Sequence, residues 1–185
     1  MLDIKEIIRS SIKKDEGSFR ILVERYADYA FSVAFRIINE EEESKDVMQE
    51  AFISVWNNIE RFRVEDNFTN WLYRIIVNKC YDSLRKKKKK TLIYPDSDNW
   101  NIPGLFSEDT PDEKLNNQEI ASMIKQLTNN LSPKQKVVFV LSELEGLSHD
   151  DIAGITGMNK TSIKSNLNQA RRNIQKMLEK YYGNE

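Results

Sequence analysis

A single histidine, His149, and a single cysteine, Cys80, are the only imidazole and thiol in 185 residues, and that scarcity limits the chemistry open to the chain. The usual zinc sets need more of these groups than one of each, a Ser-His-Asp or Cys-His engine has almost no material to draw on, and an internal disulfide needs two cysteines. No glycine loop of phosphate-cradling spacing is present. Carboxylates are plentiful, with Glu40 to Glu43 the densest run. Consecutive helix residues point in different directions, however, and no histidine joins these four, so a solvated helix start whose acids favour the macrodipole is expected rather than a metal site. Cys80 lies in an apolar helical pattern and reads as a small core residue before a redox sensor. His149 reads as exposed in the first turn of a helix. An enzyme is the remotest reading, and no cofactor is expected.

The legible chemistry is aromatic and basic. Phe68, Trp71 and Tyr73 open a helical stretch that ends in Arg85 and five lysines. Rings on which bases stack, followed by ammonium groups that hold phosphates, are what single-stranded nucleic acid requires. A lysine run also suits a helix C-terminus, and Trp71, with Leu72, Ile75 and Ile76 nearby, is equally placed for a core. A second basic set lies in residues 160–176. There Ile163, Leu167, Ala170 and Ile174 fall within one narrow arc at helical spacing, with Thr161, Ser165, Asn168 and Arg172 opposite and Lys164 and Arg171 on a flank.

The elements that position these residues are helices throughout. Ser132, Pro133 and Gln135 mark a helix start with a capping box; Val137, Val138, Leu141 and Leu144 continue it, and Gly146 is a stop. Ser148 with Asp151 starts a short helix carrying Ile152, Ala153 and Ile155, which Gly157 ends, and Asn159 caps the next. Ala153, Gly157 and Ile163 have the spacing that two helices crossing through a tight turn need, so residues 131–178 read as a helix-turn-helix against the plainer alternative of a helical hairpin. Further upstream, Ile4, Ile7, Ile8 and Ile12 make a short amphipathic helix, Ser18 opens a longer one to about Ile37, and a third runs from Ser44 to Phe62. On the third, Asp46, Gln49 and Glu50 share a side away from Val47, Ala51 and Val55, and Trp56 sits at the apolar boundary. Arg61 to Asn67 breaks the period and reads as a loop.

Charge is divided along the chain. Residues 1–90 carry a net +2, residues 91–120 a net −6 and residues 121–185 a net +3, within a total of −1. Two modules could each approach a polyanion, joined by a segment that would avoid one. That segment, 91–116, holds three of the four prolines and no sustained period, and reads as a linker. Tyr94, Trp100 and Phe106 within it could dock in a groove elsewhere, and a helix over about Pro111 to Asn129 opens the second module. The fold class is all-α: two small helical domains joined by an acidic flexible linker, the C-terminal one a four-helix unit with a helix-turn-helix. No stretch approaches the run of about 18 apolar residues that a membrane span needs, and the N-terminus carries acids and no small-residue cleavage pattern. A cytosolic protein without membrane insertion is expected.

Three stretches together resemble a bacterial sigma factor of the extracytoplasmic-function (ECF) type, in the sigma-70 family. DVMQEAFISVW (46–56) resembles the family's polymerase-binding helix, NFTNWLYRIIVNKCYDSLRKKKK (67–89) its promoter-melting and -10 reading segment, and residues 131–178 its -35 reading domain. The resemblance implies a polymerase-binding and -10 domain at 1–90, a linker at 91–116 and a -35 domain at 117–185. It implies core RNA polymerase and promoter DNA as partners and admits an inhibitory anti-sigma factor. Asp46, Gln49, Glu50, Phe52 and Trp56 would face the clamp helices of the polymerase largest subunit. Phe62, Arg63, Asn67, Phe68, Trp71, Arg74, Asn78, Lys79 and Arg85 would hold the unpaired -10 strand. Lys160, Thr161, Ser162, Lys164, Ser165, Asn168, Arg171 and Arg172 would lie at the -35 element. Two departures stand out: Asn166 replaces a usual basic residue, and Gln169 replaces a usual arginine, which puts the fine assignment of that face in question. The rival readings are an ordinary helix-turn-helix regulator, which would bind promoter DNA without polymerase, and a helical adaptor, which would bind no DNA.

Overall fold

The computed structural model describes residues 3–93 and 127–182. Side-chain caps set most of the boundaries. Helix α1 (Ile4–Ile12) is started by Asp3, whose carboxylate accepts from the Lys5 amide, and it buries Ile7 and Ile8. After Lys14, which takes the left-handed conformation at φ 63°, Asp15 accepts from the Ser18 amide and starts α2 (Glu16–Ile38). Asn39, left-handed at φ 60°, returns its backbone amide to Phe35 O and ends α2. Glu40 then caps α3 (Glu41–Asn58) through the Glu42 and Glu43 amides. Both helices begin upstream of the serines the pattern suggested. The acidic side chains preceding those serines take the free amides of the first turn, so the helix extends back to them.

Three of the four acids are therefore first-turn residues, and one of these, Glu43, also has a distant partner. Glu43 accepts from Ser83 Oγ at 2.6 Å and Lys87 Nζ at 2.7 Å, both on α4 (Phe68–Ile93). Burial pushes its pKa up, but the hydrogen bonds from Lys87 and Ser83 outweigh burial, and the carboxyl ends below its ordinary value. A carboxyl lowered on folding adds stability above its unfolded pKa, and that stability is lost as pH falls through the folded value. Acid melts below about pH 4.5 should thus lose this α3–α4 tie, and Glu43→Gln should flatten the loss. Identical acid profiles for the two proteins would contradict the assignment.

A short 3-10 turn (Ile59–Arg61) follows α3, in place of the helix expected to continue to Phe62. Asn67 then starts α4, its side-chain oxygen 3.0 Å from the Asn70 amide. In the second half, residues 127–129 are helical, and Ser132 and Gln135 form the expected capping box on α5 (Pro133–Phe139), with Pro133 in its first turn. Where the apolar stripe suggested one continuous α-helix, Val140–Leu144 form a π-helical turn. Gly146, at φ 68°, closes it, and the Leu147 amide reaches back to Leu141 O. Helix α6 (His149–Thr156) has its Ser148–Asp151 capping box and ends at left-handed Gly157. Asn159 accepts from the Ser162 amide at 2.7 Å and starts α7 (Lys160–Tyr182). The linker, its aromatics and most of the helix expected before Asn129 lie outside the described residues.

Packing joins what the charge pattern separated. Helix α2 packs on α1, α3 and α4; α5 and α6 pack on α7; and α4 also packs on α5 and α6. One continuous apolar cluster holds Leu22, Val55, Ile59, Leu72, Ile76 and Val77 together with Val137, Val138, Leu141, Ile152 and Ile163. Cys80 is fully buried in it, as expected, and burial pushes its thiol pKa up.

Candidate nucleic-acid and partner surfaces

Helix α3 turns one polar side outward. Asp46, Gln49 and Glu50 are all exposed, and their spacing places them on one side of the helix. Ile53 continues that side and is 60% exposed. Apolar-pattern reading missed it because it lies outside the buried stripe, yet its place three and four residues beyond Glu50 and Gln49 is the available signal. A single exposed apolar side chain is ordinary on a protein surface, so Ile53 counts here only for its place on the same side as the three polar residues. The other two residues of the set lie elsewhere. Phe52 is 6% exposed in the core. Trp56 is half-buried against its own chain, with Phe19 at 4.7 Å between ring centroids and the Lys14 ammonium 4.7 Å over its ring.

The loop and first turns of α4 gather an aromatic cluster. Phe62, Phe68 and Trp71 lie within 5.0 to 5.8 Å of one another, and Tyr26 joins through Phe68 at 5.1 Å. Phe62 and Phe68 are buried, so these two rings serve packing. Trp71 is half-buried. Along the helix Arg74 and Asn78 are exposed, Lys79 is 3.5 Å from Glu50, and Arg85 lies over the Tyr81 ring near Asp82. Arg63 is exposed in the loop, whereas the Asn67 side chain is committed to its cap. Asn78 donates to Ile155 O at 3.3 Å, a contact that reaches into α6.

On α7 the expected division of faces is present. Ile163, Leu167, Ala170 and Ile174 are buried, while Thr161, Lys164, Ser165, Asn168 and Arg172 are exposed. Lys160 pairs with Asp150 at 2.5 Å and Arg171 with Glu143 at 2.8 Å, so both cations are balanced by the supporting helices. The two departures have structural reasons. Asn166 turns back to donate to Ser162 O at 2.8 Å, and Gln169 accepts from Gln135 Nε2 at 3.0 Å, tying α7 to α5. Among the described residues no cluster of metal-ligating side chains occurs.

Comparison with known proteins points to one family. Residues 22–90 match the family described as Sigma-70 region 2, and residues 121–174 match Sigma-70, region 4. The chain is 31% identical over 170 residues to an ECF RNA polymerase sigma-E factor of Haemophilus influenzae, with 89% of each chain covered. It is 30% identical over 182 residues to the ECF RNA polymerase sigma factor SigW of Bacillus subtilis, covering 95% of this chain and 96% of that one. Its backbone is similar to that of the sigma factor RpoE of Bartonella quintana, solved in complex with the anti-sigma factor NepR. The TM-score is 0.61 at 20% identity, over 87% of this chain and 96% of that one.

Proposed function

The chain belongs to the ECF group of the sigma-70 family, and from that premise we propose how its surfaces divide the work of a sigma factor. It binds core RNA polymerase and directs promoter-specific initiation. The α3 side formed by Asp46, Gln49, Glu50 and Ile53 docks on the polymerase. Trp71, Arg74, Asn78 and Lys79 on α4, with Arg63 before it, hold the opened -10 strand, and the basic end from Arg85 onward tracks its phosphates. Thr161, Lys164, Ser165, Asn168 and Arg172 on α7 meet the -35 element, with bases read in the major groove and phosphates held by the cations. The observation that carries this division is the outward array on α3 and α7 against otherwise buried neighbours. The protein acts without catalysing a reaction of its own, and its place of work is the cytoplasm, where promoter and polymerase are. An anti-sigma factor is a further partner in this reading, as for the solved relative.

Run-off transcription with purified core polymerase tests the whole reading: products should appear only when the protein is added. The polymerase face has its own test. Gln49→Ala with Glu50→Ala should cost the fold no more than about 0.5 kcal/mol per position, since both are exposed, yet should weaken retention of core polymerase in a pull-down, and Ile53→Ala should weaken it further. Unchanged retention in the triple variant, with helical circular dichroism preserved, would remove this face from the interface.

A further inference from the structure

We propose that Lys14 is a positioning residue for the -10 strand: its ammonium fixes the C-terminal end of α3 and, through it, the loop that presents Arg63. The inference rests on the reading of that loop and α4 as the -10 site.

The backbone at Lys14 is the first sign that its side chain is put to use. The Asp15 amide reaches Ser10 O at 3.2 Å and the Lys14 amide reaches Ser11 O at 3.0 Å, the paired hydrogen bonds of a helix C-terminus closed by a left-handed residue. Glycine usually fills that place, and a side chain there strains the backbone. Lys14 nonetheless holds it at φ 63°. The contacts of its side chain offset the strain. The ammonium donates to Trp56 O at 2.5 Å, lies 4.7 Å from the centroid of the Trp56 ring and is 3.5 Å from Glu60 Oε1. Trp56 is in the last turn of α3, where carbonyls lack helical partners and the dipole favours a cation. Phe19 packs on the same indole at 4.7 Å between centroids, so the α1–α2 corner grips the end of α3 through one ammonium and one ring.

What that end controls is the loop. The 3-10 turn Ile59–Arg61 leads straight into Phe62 and Arg63; Ile59 is fully buried, and Phe62 packs on Trp71 at 5.0 Å. Beyond Phe62 the loop has little packing of its own. Arg63, Glu65, Asp66 and Asn67 are exposed, and a hydrogen bond from the Asp66 amide to Arg63 O at 2.9 Å makes the turn compact. A compact loop with few contacts takes its direction from the elements at its two ends. Asn67 and the aromatic cluster set the α4 end, and Lys14 sets the α3 end. Groups that read a base must be held to within about 0.5 Å by the residues behind them, so slack at the end of α3 would appear as lost discrimination before it appeared as a lost fold.

The test uses the full chain bound to core polymerase. Binding of a fluorescent single-stranded oligonucleotide, carrying the -10 sequence of a promoter that the run-off assay identifies, is compared with binding of oligonucleotides in which one base is changed. Lys14→Gly should keep a urea midpoint close to wild type, because glycine relieves the left-handed backbone as it removes the ammonium. Retention of core polymerase should also be unchanged, since the outward side of α3 is untouched. Affinity for the matching oligonucleotide should fall about tenfold and affinity for the changed ones much less, so that discrimination narrows. Lys14→Arg, which keeps a cation for the indole face, should bring the matching affinity back to within about threefold of wild type. Unchanged binding by Lys14→Gly, with Arg63→Ala lowering it, would overturn the positioning role and leave the loop assignment standing. Silence of both variants would remove the loop from the -10 site, and the proposal with it. Equal weakening for matching and changed oligonucleotides, with a lower urea midpoint and no rescue by arginine, would make Lys14 a stabilising residue alone and would overturn the proposal as well.

Discussion

Trp71→Ala is expected to reduce run-off transcription from duplex promoters roughly 5- to 150-fold, the range that corresponds to about 1–3 kcal/mol of stacking on one ring. Transcription should return to within about twofold of wild type when the -10 region is already open as a mismatch, because the few kcal/mol needed to extrude a base are then supplied by the template. The competing account is that Trp71 only packs. Its ring does touch Phe62 and Phe68, so the substitution also has a structural cost. Full burial would put that cost at about 3–5 kcal/mol, and a half-buried ring should lose about half of it. Trp71→Phe separates the two effects, since it keeps an aromatic face against Phe62 and Phe68 while offering a base a smaller one. A urea melt close to wild type with duplex transcription still reduced is the expected pattern. Equal losses on duplex and pre-opened templates, with the fold intact, would show that the ring does not act in opening DNA.

The second large effect lies on α7. Lys164→Ala with Arg172→Ala should leave the melt unchanged, because both side chains are exposed, and should lower holoenzyme affinity for -35 duplex. The slope of log K against log salt should become shallower by about 1.8, or about 0.9 for each phosphate that is no longer neutralised. Arg171→Ala should do less, since Glu143 already balances that guanidinium at 2.8 Å. Gln169→Ala should leave the slope where it was, because that amide is uncharged and is held by Gln135. An unchanged slope in the double variant would move the -35 interface off this face.

Local signals along the chain were enough for the helices and for two of the outward faces. Capping residues and glycines act over one turn, so Ser132, Ser148, Gly146, Gly157 and Asn159 mark their boundaries wherever the rest of the chain lies. A 3.6-residue period likewise states which side of α3 and α7 is buried, because a helix face is a property of spacing alone. Competing local caps were harder to rank. Asp15 and Glu40 extended their helices upstream of the serines, and the π-turn at Val140–Leu144 follows from no propensity of its residues.

Rings were the least legible side chains. A Phe or Trp near a helix start packs or binds according to what stands across from it, and Phe52, Phe62 and Phe68 found neighbours in their own core. The departures at Asn166 and Gln169 read as lost charge in the sequence and became internal ties once Ser162 and Gln135 stood opposite them.

The sequence by itself determined the all-α character, the helix-turn-helix and the family, because these rest on spacing and motif order within short windows. Only the tertiary structure decided that the two basic halves meet. Lys136 on the Ile38 carbonyl, Arg36 with Glu145 and Asn78 with Ile155 each join residues at least 77 positions apart. No periodicity reports such pairs, since the energy of a salt bridge or a buried ammonium depends on a partner that chain folding, not neighbouring sequence, brings into reach.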